Sequence, residues 1–98
     1  MYIVVNTLTF AEPIEAGLLA SAGELLPAMR AIEGFSSLQI VQTADTEAVL
    51  VIAADSPATL DRIATEVGSP WMVEHVVPRL AGPPDRRLGE VVLTSDAG

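Results

Sequence analysis

The chain has 98 residues, half of them hydrophobic and 18% charged, with a net charge of -8 at pH 7 and no cysteine. A chain of this length buries about 65% of the surface it exposes when unfolded, enough for one core and not for two, and so apolar a composition excludes disorder. Thirteen acidic residues against five basic ones, all arginine, exclude a surface that tracks nucleic-acid phosphates or docks on anionic membranes, while the lack of cysteine excludes disulfides and thiolate chemistry and points to the cytoplasm.

The opening "MYIVVNTLTF" has no basic segment or cleavage site of a secretory signal, and no apolar run approaches the ~20 residues of a membrane span. Residues 2–10 alternate in both registers. Tyr2, Val4, Asn6, Leu8 and Phe10 share one face, and Ile3, Val5, Thr7 and Thr9 the other, which predicts a strand with both faces partly apolar. Pro13 suits a first helical position, where its missing N–H would be unpaired anyway, and Ile14, Leu18, Ala22, Leu25, Met29 and Ile32 follow at spacings of three and four. That pattern predicts a long helix, closed by Gly34 in a left-handed cap and kinked near Gly23 to Pro27, where the proline ring crowds the Gly23 carbonyl.

A second strand is expected over 35–43 and, after the polar turn "ADTE", a third over "AVLVIAA", apolar throughout and so covered on both faces. Ser56 and Pro57 cap and open a helix that runs through Leu60, Ile63, Ala64 and Val67 and stops at Gly68. Ser69 and Pro70 repeat the signal for a short helix, "WMVEHVV", limited by Pro78. The loop "AGPPDRR" leads to a last strand over 88–94, and residues 95–98 are expected to fray.

The order β-α-β-β-α-β is the ferredoxin-like split motif, an α+β fold in which a four-stranded antiparallel sheet carries its helices on one face. Residues 1–94 form that single domain. The first and third strands are expected at the centre, with right-handed crossovers. The bare sheet face is too apolar for water, so a second copy of the chain is expected to cover it.

No phosphate loop, dinucleotide-binding glycine pattern, nucleophile elbow or paired-histidine metal helix is present. A single histidine cannot build a zinc site, so neither metal nor cofactor is expected. The candidates are few. Asn6 is a polar side chain on an apolar strand face, either bonded to backbone or buried water, or lining a pocket. Trp71 and His75, the only residues of their types, stand at i and i+4 on one helix face, where Trp71 is a core or interface aromatic or the wall of a site. His75 is either half-exposed and bonded to a carbonyl or the base of a reaction. Tyr2 shares the Asn6 face. Arg30 and Arg79 could neutralise an acidic ligand, and the Arg86–Arg87 pair beside Asp85 reads as a loop with local ion pairing.

With Asn6 on its first strand, a helix ending in "AIEGFSSLQI", "VLVIAADS" leading into the second helix, "SPWMVEHVVPRLAGPP" and the closing "LGEVVLT", the chain resembles the antibiotic biosynthesis monooxygenase family. That family implies a dimeric α/β barrel, two ferredoxin-like subunits packed sheet to sheet. It also implies a cofactor-independent oxidation of a small hydrophobic aromatic, polyketide-like or quinol-like, with O2. Under that resemblance Asn6 and His75 are the catalytic pair, Asn6 positioning a substrate oxygen and His75 acting as base. Trp71 stacks on the substrate ring, and a closed pocket between sheet and helices lined by Asn6, Trp71 and His75 is expected; Tyr2, on the Asn6 face, is a further substrate-binding candidate.

Two features depart from the family. Ala53 and Ala54 end the third strand where many members carry an aromatic and a carboxylate. Haem-degrading relatives pair a strand Asn with a helix His, as Asn6 and His75 would, but carry a Trp near the place held here by Glu66. The alternatives are therefore a non-catalytic dimeric binding or structural protein and, less favoured, a haem-binding or haem-degrading one with His75 on the iron.

Overall fold

The computed structural model describes residues 1–95; of the expected frayed end at 95–98, all but Ser95 lies outside the described residues. Four strands, β1 (Tyr2–Thr9), β2 (Phe35–Ala44), β3 (Glu47–Ala54) and β4 (Asp85–Glu90), form one antiparallel sheet in the order β2-β3-β1-β4. The first and third strands are central, as the split motif predicts. Even-numbered residues of β1 and β3 turn toward the helices: Val4, Leu8, Ala48, Ile52 and Ala54 are all buried. They meet Met29 and Ile32 from the first helical region and Leu60 and Ile63 from the second, while Leu8, Phe10, Ala22, Trp71 and Val76 form a second cluster at the other end. Ile3, Val5, Val49 and Val51 occupy the opposite face by strand alternation, and among the described residues no helix packs there.

The first helical region is shorter than its apolar spacing predicts. Residues 13–19 hold no helix, Gly17 takes a positive φ of 85°, and only then follow a 3₁₀ segment (Ala20–Leu25) and α1 (Leu26–Arg30). The expected break between Gly23 and Pro27 is where 3₁₀ gives way to α, with Pro27 in the first turn of α1, the place where a missing N–H costs nothing. Gly34 has φ 98°, and a Cβ there would meet the Asp55 carboxylate, whose own backbone N–H bonds to the Gly34 carbonyl at 3.0 Å. Glycine is required at that turn on both counts.

Gly68 does not stop the second helix. α2 (Pro57–Ile63), capped by the Ser56 hydroxyl on the Thr59 N–H, passes through a π turn (Ala64–Gly68) into α3 (Ser69–His75), and Gly68 keeps right-handed angles of φ -72° and ψ -50°. The cause is Pro70. Inside a continuous helix its ring would press on the carbonyl four residues back, and widening the preceding turn, so that the Ser69 N–H reaches the Ala64 carbonyl five residues back, relieves the crowding.

The last strand lies three residues earlier than expected. β4 is the charged edge segment "DRRLGE", with Glu90 opposite Tyr2. Beyond Glu90 the first strand has run out of partners except for the Val91 N–H to the Met1 carbonyl. The apolar residues taken as the strand therefore leave the sheet, and Val92 and Leu93 are 90% and 88% exposed.

Candidate functional site

Between the helix-facing side of the sheet and the α2–α3 arm lies a cavity of about 330 Å³. Val4, Ile52 and Leu60, all buried, form its floor. Ala64 and Gly68 from the π turn form the roof, and Ser69, Val73 and Val77, each four residues from the last, line one side of the mouth opposite Pro84 and Arg86. The wall is apolar except at Asn6, Ser69 and Arg86.

Asn6 is the chemical feature of this cavity. Its Oδ1 is buried without a hydrogen-bond partner, the only such side-chain atom among the described residues. The sequence placed Asn6 on an apolar face with two outcomes open, and the pocket is where it stands; no backbone group satisfies it. Arg86, the register partner of Asn6 across β1 and β4, brings a guanidinium to the same wall, and its Nη2 lies 3.5 Å from Asp61 Oδ1 on α2. Sequence reasoning missed Arg86 because its strand was set too late, leaving "DRR" in a loop. The usable signal was the charge itself, since a strand that must not pair further is commonly a charged edge.

Trp71 and His75 share a helix face, with ring centroids 5.4 Å apart, but it is not the cavity face. On a helix two residues' separation is about 200° of rotation, so a helix that turns Ser69 and Val73 to the cavity turns Trp71 and His75 away. Trp71 is buried against Leu8, Phe10, Ala22 and Val76, and its indole N–H donates to the Glu24 carboxylate at 3.1 Å. His75 is half-exposed, with Nε2 3.8 Å from the Glu74 carboxylate. Neither lines the cavity, and a haem held between Asn6 and His75 does not fit this arrangement.

Tyr2 packs at the edge of the core cluster around Val4 and Ile52. Glu90, opposite it on β4, raises the phenol pKa above the usual 10.0, first by hydrogen bonding to the hydroxyl and then by its negative charge. Arg79, considered for an acidic ligand, is engaged by the Glu15 carboxylate at 2.6 Å and the His75 carbonyl at 3.1 Å. Among the described residues no three acidic or histidine side chains converge as a metal site, and no helix is long and apolar enough to cross a membrane.

No family model matches the chain, and no curated protein matches it in sequence. Solved structures do match over nearly their whole length. A putative antibiotic biosynthesis monooxygenase from Bordetella bronchiseptica superposes with a TM-score of 0.74 at 17% identity, covering 94% of this chain and 97% of that one. SnoaB, a cofactor-independent oxygenase from Streptomyces nogalater, gives 0.75 at 12% identity over 97% and 96% of the two chains. Rv0793 from Mycobacterium tuberculosis gives 0.70 at 16% identity over 97% and 99%. At such identities the likeness establishes a common fold, the ferredoxin-like α+β fold of those proteins, and leaves the chemistry to the residues.

Proposed function

We propose that this chain is a cofactor-independent monooxygenase that oxidises a small hydrophobic aromatic molecule, polyketide-like or quinol-like, with O2 in the cavity over Asn6. The observation that supports it is Asn6, its Oδ1 without a hydrogen-bond partner, in the lining of a cavity of substrate size that is otherwise apolar apart from Ser69 and Arg86. In such an oxidation a ring CH2 becomes C=O, one oxygen atom entering the substrate and the other leaving as water with the two hydrogens, so no reductant is needed. The protein's share is to hold an electron-rich phenol or its anion in one pose and to keep water from the reacting carbon. The Asn6 amide hydrogen-bonds a substrate oxygen, and Val4, Ile52 and Leu60 pack on the rings.

His75 is not assigned the base. The cavity lining contains neither carboxylate nor imidazole, so the reading requires a substrate acidic enough to lose its own proton to solvent. Trp71 supports the site from behind, packing α3 onto β1. The same absence of an acid–base side chain favours a second reading, ligand binding without turnover on the same fold. Oxygen-electrode measurements with anthrones and quinols separate the two. Uptake is expected that falls at least tenfold in Asn6→Ala, whereas equal rates for the two proteins would falsify the catalytic role, and saturable binding with no uptake would select the second reading.

We further propose that the protein is a homodimer whose partner covers the open sheet face. Ile3, Val5, Val49 and Val51 form an apolar centre there, and the exposed Val92 and Leu93 extend from the end of β4.

A further inference from the structure

We infer that the ligand of this cavity is an aromatic acid, a compact ring system bearing an ionised carboxylate and, not adjacent to it, a hydroxyl, with Arg86 as the residue that selects it. The inference rests on the reading of the cavity as a small-molecule site and names the class of molecule. Asn6 and Arg86 are directly opposed on β1 and β4, which sets their Cα atoms about 5 Å apart with both side chains on the helix-facing side. An amide and a guanidinium side by side in one cavity lining are complementary to a phenolic oxygen and a carboxylate carried by one ring system. A neutral hydrocarbon or simple phenol satisfies one of them at most.

The guanidinium is available for the exchange. Its present partner, Asp61, meets it at 3.5 Å with side chains 41% and 73% exposed, and an exposed pair at that distance is weakly held. A ligand carboxylate inside the mouth offers Arg86 a shorter and bidentate contact in a less watery setting, where such bonds are stronger. Asp61 then acts on selectivity by competing for Arg86 and repelling an incoming anion. The remaining lining suits the hydrocarbon part, since beyond Asn6, Ser69 and Arg86 every group it meets is apolar.

Calorimetric titration of the full chain at pH 7 with 4-hydroxy-2-naphthoate and with 1-naphthol tests this, because the two share the ring and a free hydroxyl and differ in the carboxylate. The acid is expected to bind about tenfold tighter. In Arg86→Gln that ratio falls to near one, and in Asp61→Asn it rises. Equal affinities in the wild type, or a ratio untouched by Arg86→Gln, overturn the assignment. Ala64→Phe, which fills the cavity from its roof, separates the two levels: naphthol binding that is lost in this variant leaves the cavity reading standing whatever the ratio. Failure of both compounds to bind the wild type removes the cavity reading and this inference together.

Discussion

A buried amide oxygen with no donor costs about 1 to 3 kcal/mol, and Asn6 Oδ1 is in that condition between Val4 and Leu8, each 3% exposed. A side chain kept for folding alone would not be an asparagine there. Asn6→Leu removes the orphaned group and adds apolar contact with Leu50 and Ile52, so urea unfolding should show a gain of about 1 to 2 kcal/mol. The same variant should lose ligand affinity. A loss of stability instead would mean that the amide is satisfied in solution, by water or by a neighbour, and that its place in the wall is structural. The oddity of Asn6 was legible in the sequence because strand alternation has a period of two and a single polar residue breaks it. The position of Arg86 was not, since nothing local to "PDRRLGE" fixes where pairing with β1 begins; that register depends on a strand some eighty residues away.

At the scale of elements, the continuous α2–α3 arm positions the cavity's roof and one side of its mouth. Local rules set a stop at Gly68 because glycine and a following Ser-Pro are a common boundary signal. Packing overrode them: Leu60 and Ile63 on one side of the π turn and Trp71 and Val76 on the other belong to core clusters that cover the same sheet face. Bridging both along one sheet face keeps the chain helical through the glycine. The long helix expected after Pro13 failed for the opposite reason, as its apolar spacing persists while Gly17 takes a positive φ that a helix cannot include. The two glycines therefore respond differently to alanine. Gly68→Ala adds a Cβ whose nearest neighbour is the Ile63 carbonyl at 3.8 Å, so a gain of about 0.4 to 1 kcal/mol is expected. Gly34→Ala meets φ 98° and the Asp55 carboxylate together and should lose more than the first gains. Paired denaturation curves check both signs, and a destabilised Gly68→Ala would show that the π turn has no room for a side chain.

For the whole molecule, the open sheet face is where the proposed dimer forms. The helices cover one side of it, and on the other Ile3 and Val5 lie against Ala53 and Val51 in the two central strands. Asp85 and Arg87 stand toward the edge on this side, paired with each other at 3.4 Å, so the centre carries no charge that would have to be desolvated alone. That both registers of the first strand are apolar is enough to read this face from the sequence; the exposure of Val92 and Leu93 is not legible, because their apolar run reads as part of the last strand. Opposing the association is the charge of -8 on each chain, whose mutual repulsion salt screens over a Debye length of about 8 to 10 Å. Sedimentation equilibrium should therefore find twice the 10.3 kDa chain mass, with dissociation at micromolar concentration favoured by low salt. Val51→Asp places an unpaired carboxylate at the centre of the face, a change that costs several kcal/mol when buried and little when exposed. It should give a folded monomer with an unchanged circular dichroism spectrum. A Val51→Asp protein that still sediments as a dimer would place the subunit contact elsewhere and leave the apolar sheet face without its partner.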